Sequence, residues 1–232
     1  MSESTTPAWD RAFFPFMGAL IALLVVLGFR LTVNDNLFHP DWPRPVLLWV
    51  HALIFTAWIL LFFAQTALVY ARQIKAHRQL GLWSLGLGSA LPVVGVATAF
   101  LMARLRAQHG EADAANFLLI SCFDMLAFSI SFGLAARWRR QREWHRRLMF
   151  IATCTLASAA FFRLLPPLVA DDYVYGGVDA LVLAGALRDL LADGRVHRVY
   201  LVALPLLVLG QSLTMSLHLA PAWLELARQI LG

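Results

Sequence analysis

The sequence predicts an all-α fold: a polytopic transmembrane bundle of seven helices, formed as a single integral membrane domain over residues 1–232. Three observations indicate this fold. The chain is 60% hydrophobic and only 14% charged, whereas a soluble domain carries about 25% charged residues. Its apolar residues are grouped into stretches of about 20 residues, the length that crosses a bilayer. Most of its 19 Lys and Arg residues lie between those stretches, where they set membrane orientation.

Seven apolar stretches are predicted to form the helices, and short connections between them leave no room for a separate soluble domain. The sixth stretch is the weakest, because Arg188 and Asp189 lie in its last turn. The N-terminus lacks the basic region and cleavage site of a signal peptide, so we expect the first stretch to be retained. The stretches cover roughly residues 12–33, 46–71, 82–103, 117–136, 148–170, 174–192 and 199–220.

The distribution of basic residues predicts that the N-terminus lies inside and the C-terminus outside. With this orientation the inner segments hold 13 of the 19 Lys and Arg residues. The outer ends hold only Arg30, Arg44, Arg104, Arg106 and Arg228. Because cytoplasmic loops are enriched in Lys and Arg, this bias favours the assignment. The basic residues therefore indicate topology, and a nucleic-acid partner is not expected.

A His-Arg pair opens three of the apolar stretches: His77-Arg78, His145-Arg146 and His197-Arg198. The repeat predicts three helices that enter the membrane from the inner side. Three imidazoles at one depth are a common ligand set for zinc, iron or copper, and Asp189 or Asp193 is a candidate to complete the shell or orient a ligand. Alternatively, two histidines on facing helices ligate a b-type haem, or the pairs only anchor the helix starts at the interface.

A second layer of ionisable residues lies nearer the outer ends of the stretches, where lipid would not tolerate them. It contains His51, Asp124, Arg163, Asp179 and His218. His51 with His218 would ligate a second haem and complete an electron path across the membrane. Arg163 keeps its proton, so it needs an acid, and Asp124 and Asp179 are the candidates. This layer is either a buried ion pair that fixes packing, or a binding site for a polar headgroup, or a proton path.

Helical spacing predicts that these side chains face a common interior. At 100° per residue, Trp58 and Gln65 lie on the same stripe of the second stretch as His51. Gln211 lies 14 residues after His197 and seven before His218, both multiples of seven, so the three share a face. On the third stretch, Ser84, Gly88, Gly95 and Ala99 form a face of small residues, which predicts a central, tightly packed helix.

Several polar residues stand at characteristic spacings along the chain. They are His51-Ala52 with Trp58 and Gln65, His77-Arg78-x-x-Gly81, His145-Arg146-Arg147-Leu148-Met149, Asp179, and Gly194-Arg195-x-His197. Over roughly residues 45–220 this pattern resembles an uncharacterised bacterial family of multi-pass membrane proteins, and the resemblance implies a fold and no agreed activity. A looser similarity is to cytochrome b561-type haem membrane proteins, in which a His opens a helix with an apolar-Trp run.

The sequence thus leaves three classes of function open. The first is a haem- or metal-binding oxidoreductase or electron carrier, with a small-molecule or redox partner and zinc, iron or b-type haem as cofactor. The second is a proton-coupled transporter or channel that uses the layer of Asp124, Arg163 and Asp179. The third is an assembly or accessory subunit that binds no cofactor. Each is placed in the lipid bilayer of the bacterial inner membrane. No nucleophile motif or phosphate-binding glycine loop favours other chemistry.

Overall fold

The computed structural model describes residues 8–111, 115–165 and 174–231, and this part of the chain is helical with no strand. Within these described ranges, nine α-helices follow one another along the sequence. Their bounds are α1 Ala8–Phe29, α2 Val46–Tyr70, α3 Ile74–Gln108, α4 Asn116–Arg137, α5 Arg142–Leu156, α6 Ser158–Leu164, α7 Gly176–Asp193, α8 Arg198–Leu217 and α9 Pro221–Leu231. A single π-helical turn, Asn34–Phe38, precedes the proline-rich segment that leads into α2.

Six of these segments are long and apolar enough to cross a membrane, which supports the prediction of a multi-pass membrane protein. They are Trp9–Phe29, Val46–Tyr70, Ile74–Gln108, Asn116–Arg137, Arg142–Leu164 and Arg198–Leu217. Helix α7 is not among them, because its 18 residues include Asp179, Arg188, Asp189 and Asp193.

Helix α5 is the centre of the bundle, and not α3 as the small residues of the third stretch had suggested. About 72% of the most apolar window of α5 and α6 is buried, against 28% for α3. Helices α4, α7 and α8 pack directly on α5, while α3 packs between α2 and α4. The reason is in the composition of α5, whose Ala, Thr and Cys side chains at 152–155 are small enough for neighbours on all sides.

The fifth predicted stretch is interrupted at Ala157, where α5 ends and α6 begins. The Ala157 amide donates to Cys154 O (3.0 Å), and the Ala160 amide donates to Ala157 O (3.0 Å). Both bonds span three residues, as in a 3₁₀ turn, so the helix is locally tightened. The rest of that stretch, residues 166–170, lies outside the described residues.

Two further differences from the predicted elements bear on the site. Helix α3 starts at Ile74 and α5 at Arg142, so His77 and His145 lie in the first turn of a helix. His197 is the N-cap of α8, where its ring accepts a hydrogen bond from the Val199 amide. Helix α9 was not predicted; its apolar face packs Leu231 and Trp223 against the outer ends of α3 and α4.

Candidate functional site

At the end of the bundle that the sequence predicts to be inner, four buried charges form a network that we call the inner clamp: Asp10, Arg147, Arg188 and Asp189. Arg147 Nε and Nη2 each lie 2.7 Å from one oxygen of the Asp189 carboxylate. Arg188 donates to Asp189 Oδ1 (2.8 Å) and to Asp10. The network therefore joins α1, α5 and α7, which are far apart in sequence.

The inner clamp is closed to outside ligands. Asp189 is fully buried, and its Oδ2 also accepts from the His197 amide (3.2 Å). Arg147 also donates hydrogen bonds to Glu143 Oε2 (2.5 Å) and to Asp193 Oδ2 (3.3 Å). Buried charges are tolerated when they are paired and fully hydrogen-bonded, and this condition is met here. Asp189 thus has no free oxygen for the metal shell in which the sequence had placed it.

The histidines of the three His-Arg pairs, His77, His145 and His197, each make a different hydrogen bond. His145 Nδ1 lies 2.9 Å from Ala135 O on α4, so it donates there and leaves a lone pair on Nε2. His197 Nδ1 accepts from the Val199 amide (3.2 Å), which places the proton of the neutral ring on Nε2. The His197 ring also packs edge-on against Trp144 at 5.1 Å between centroids. Partial burial and the nearby Arg147 guanidinium lower the pKa of His197.

His77 is held by Gln65, the residue that the sequence placed on the His51 stripe. In the amide orientation that satisfies every neighbour, Gln65 donates to His77 Nδ1 (2.7 Å). Its oxygen then accepts from the Gly81 amide and the Ser84 hydroxyl, both at 3.0 Å. Gln65 therefore fastens α2 to the first two turns of α3.

Within residues 8–111, 115–165 and 174–231, no group of three or more His, Cys, Asp or Glu side chains is placed to hold a metal ion. Metal-ligating imidazoles donate from one nitrogen to the protein and bind the metal with the other. Among the inner histidines only His145 has this arrangement, since the Nδ1 atoms of His77 and His197 both accept. The three residues therefore do not fit a shared metal centre.

The two outer histidines lie on helices with different neighbours. His51 stacks on Phe55 of its own helix, with ring centroids 4.0 Å apart. His218 caps the end of α8, and its Nδ1 bonds to Met215 O (2.8 Å). Helix α2 packs on α1 and α3, whereas α8 packs on α4, α5 and α7. The fold thus gives no support to an outer haem held between these two rings.

Asp124 on α4 forms the most distinctive polar site in the bundle. The carboxyl is buried, and it accepts hydrogen bonds from Ser158 Oγ (2.5 Å) and Tyr175 OH (2.8 Å). Ser158 is the first residue of α6, directly after the interruption at Ala157. Among the described residues no cation forms an ion pair with Asp124. The site consists of one carboxyl, two hydroxyls and a 3₁₀ turn between α5 and α6.

Arg163 does not pair with either of the acids that the sequence had offered it, so the predicted ion pair is wrong. Its Nε donates to Thr32 Oγ1 (3.0 Å), and its Nη1 donates to Ala159 O (2.6 Å). Its guanidinium lies 4.3 Å from the centre of the Phe29 ring. The other candidate, Asp179, lies beside the buried Gln211 of α8. Arg163 is thus turned toward the end of α1 and away from Asp124.

The sequence did not identify Ser158, Tyr175 or Asp10 as site residues. A hydroxyl in an apolar stretch carries little signal, because it often bonds to its own helix backbone. Asp10 was detectable in principle, since it lies at the predicted inner end of the first helix, level with Arg188. Trp58, which stood on the His51 stripe, is a packing residue: it is buried, and its Nε1 donates to Thr153 Oγ1 (3.3 Å).

Compared with protein-family models, curated proteins and solved structures, the chain has no significant match. The resemblances to an uncharacterised membrane-protein family and to the cytochrome b561 type therefore stay predictions, and the site is the basis for the function.

Proposed function

We propose that this chain is a proton-coupled transporter of the bacterial inner membrane in which Asp124 binds and releases the proton. One observation carries the proposal: a carboxyl buried inside a membrane bundle, bonded by two hydroxyls and paired with no cation among the described residues. Ionisable side chains in that position are costly, and they mark ion pathways and proton relays in membrane proteins.

The chemistry of the site suits two protonation states. As a carboxylate, Asp124 accepts from Ser158 and Tyr175, which spread part of its charge. Protonation of Asp124 removes the free-energy cost of a buried charge, and the neutral acid then needs an acceptor for its own O–H. Because hydroxyl groups both donate and accept, Ser158 and Tyr175 serve either state by rotating their O–H bonds.

The 3₁₀ turn between α5 and α6 supports a transport role over a purely structural one. A 3₁₀ stretch inside a longer helix often marks a functional hinge, and transporters place irregular helix segments at their binding sites. Ser158 lies at this turn and is in direct contact with Asp124. A change in the protonation of Asp124 therefore acts on the joint between α5 and α6.

We further propose that α7 crosses the membrane, which gives seven crossings with the N-terminus inside and the C-terminus outside. Tyr175, just before α7, contacts Asp124, while Asp189 near its other end belongs to the inner clamp. Its 18 residues span about 27 Å, close to the thickness of the hydrocarbon core. Its two most buried charges, Arg188 and Asp189, are neutralised in the clamp.

A second candidate is a haem- or metal-binding electron carrier, and the orientation of His145 favours it. This ring donates to a backbone carbonyl and keeps a lone pair on Nε2, as a ligand does. A purified protein with a Soret band that is lost in His145→Ala would support haem and replace the transporter as first candidate. Colourless protein without stoichiometric zinc or iron would remove this alternative.

The transporter is tested with the protein reconstituted in vesicles that carry a pH-sensitive dye and an imposed potential. We expect proton flux from the native protein, a rate near that of empty vesicles from Asp124→Asn, and native flux from the control Glu225→Gln in exposed α9. Infrared spectra should show a protonated-carboxyl band that titrates with pH and is absent in Asp124→Asn.

Two results would contradict the proposal. One is a carboxyl band of Asp124 that does not change between about pH 5 and about pH 9. The other is flux from Asp124→Asn equal to that of the native protein. Titration of Asp124 without any flux would assign the residue to packing and favour the accessory-subunit alternative.

A further inference from the structure

Four nitrogen-bearing side chains lie together at the outer end of the bundle, and we call them the outer basic cluster: Arg44, His51, Arg106 and Arg163. They come from the segment before α2 and from α2, α3 and α6. The charge of Arg106 lies close enough to repel both Arg44 and Arg163. Arg163 is in turn a charged neighbour of His51. Like charges are normally kept apart, so their grouping needs a reason.

Several nitrogens in the outer basic cluster lack a hydrogen-bond partner. Arg44 Nε, Arg44 Nη1, Arg106 Nε and His51 Nδ1 are shielded from solvent and bond to nothing in the described part of the chain. A buried donor without a partner costs about 1–3 kcal/mol, and more when it is charged. Most buried polar groups in proteins are satisfied, so this concentration indicates a missing acceptor.

The nearby acids do not balance the cluster. Glu111 Oε2 lies 3.5 Å from Arg106 Nε, too far for a good hydrogen bond. Glu111 and Asp41 are the carboxylates that act on Arg44. Among the described residues, Arg44 and Arg106 thus share two exposed or half-exposed acids, and the charge that acts on Arg163 is that of Arg106. Burial and repulsion from Arg106 lower the pKa of Arg44, as expected of a cation without an adequate counter-ion.

The arginines are also held in place. Arg44 lies 3.5 Å above the centre of the Trp42 ring, and Trp42 stacks on His109 with centroids 4.3 Å apart. Arg163 is fixed by Thr32 and Ala159. A binding site whose side chains are already positioned loses less entropy when the ligand arrives.

We propose that the outer basic cluster binds an oxyanion, a phosphate or carboxylate group, that arrives from the outer side. Guanidinium forks match these groups in shape and charge, and the unpaired nitrogens supply the donors. The role of this site rests on the proposed function: the oxyanion is the group by which the transporter recognises its substrate. Asp124 lies eight residues, about 12 Å, deeper along α4 than its outer end.

The test measures anion binding by calorimetry on the full chain in phosphatidylcholine nanodiscs at low ionic strength. Inorganic phosphate and succinate are the soluble probes, and nanodiscs that contain phosphatidylglycerol supply the same phosphate chemistry from a lipid. We expect saturable binding that weakens about tenfold or more in Arg44→Gln and in Arg106→Gln, the loss of one charged hydrogen bond. Arg30→Gln and Arg104→Gln are matched controls, because both arginines are exposed and lie at the same end of the bundle.

A second readout separates binding from a structural role. Without any anion, Arg44→Gln should unfold at a higher temperature than the native protein, because it removes repulsion and unpaired donors. An arginine that only supports the fold would give the opposite shift. Added phosphate should raise the unfolding temperature of the native protein more than that of Arg44→Gln.

The outcomes distinguish this inference from the transport proposal. Saturable anion binding by the native protein, together with no proton flux from it in vesicles, would overturn the transporter and keep the anion site. Saturation by phosphatidylglycerol alone would also support the site and identify its oxyanion as a lipid headgroup. No saturable binding of any probe, or equal binding by Arg44→Gln and the controls, would overturn the inference.

Discussion

At the scale of single residues, Arg147 shows what helix spacing does and does not predict. Six arginines lie between residues 137 and 147, and all were expected at the inner membrane surface. Five of them are exposed or half-buried, while Arg147 is only 1% exposed and pairs with Asp189. The sequence contains no local signal for this choice, because the partner is 42 residues away.

Replacement of Arg147 by Gln should therefore destabilise the protein strongly. The change leaves the fully buried Asp189 with only part of its counter-charge, and breaking a buried ion pair costs about 3–5 kcal/mol. Denaturant unfolding in detergent micelles measures the loss. The control Arg142→Gln, at the exposed start of the same helix, should change the free energy of unfolding by no more than about 0.5 kcal/mol.

A double variant checks the cause. If the loss comes from the unpaired carboxylate, Asp189→Asn added to Arg147→Gln should recover part of the stability. Additive losses in the double variant would mean that the two side chains act independently, against the network described above.

The histidines repeat the same lesson. Their positions at the starts of α3, α5 and α8 were predicted from the His-Arg repeat and are confirmed. The bonds of His77 and His145 were not predictable, because Gln65 and Ala135 lie on other helices that only the folded bundle brings close. The bond of His197 is local, since Val199 is two residues away. Equal sequence motifs therefore do not imply equal chemistry.

At the scale of elements, the small-residue face of α3 confirms the expected close packing of helices. Ser84, Gly88 and Gly95 are buried. A Cβ on Gly88 would overlap the Phe132 ring and approach Trp58 to 2.9 Å. Both rings are themselves buried and have little freedom to move.

Gly88→Ala should thus lower stability by about 1–3 kcal/mol through overpacking. Gly86→Ala is the matched control on the same helix, since its Cβ would meet nothing within 4 Å. Because Ala is the better helix former, Gly86→Ala should leave stability unchanged or raise it by up to about 1 kcal/mol. Thermal unfolding of the two variants in the same detergent measures these changes. Equal shifts in unfolding temperature would contradict the close contact between α3 and α4.

The central position of α5 was not predicted, because the sequence analysis assigned that place to the third stretch. Thr153, Cys154 and Thr155 of α5 are small and buried. Hydropathy measures compatibility with lipid. A central helix contacts other helices instead, so the size of its side chains matters more than their hydropathy. Small side chains permit close packing of helices, but α3 and α5 both carry them, so small residues do not by themselves identify the central helix.

At the scale of the whole molecule, the bundle, its membrane character and most helix positions followed from composition and segment length. The order of packing did not, because it depends on contacts between helices distant in sequence. The orientation of the termini remains a prediction from the distribution of arginine.

That orientation is tested with fused reporter enzymes. Alkaline phosphatase, active only outside the cytoplasm, should be active when fused after α9 and inactive when inserted at Arg139 between α4 and α5. The basic inner turns and the seventh crossing by α7 are the physical reasons. Activity at Arg139, or inactivity after α9 in a full-length fusion, would contradict the seven-helix topology.

The pairing of Asp10 with Arg188 joins residues 178 positions apart, and this has a consequence for biosynthesis. When the first helix leaves the ribosome, its partner has not yet been translated, and Arg147 likewise emerges before Asp189. The early helices must therefore wait in the bilayer or beside the insertion machinery with charges that have no counterpart. A nascent chain that stops before α7 should be degraded by membrane proteases. In the complete chain Asp10 and Arg147 pair with Arg188 and Asp189, and the protein should resist degradation.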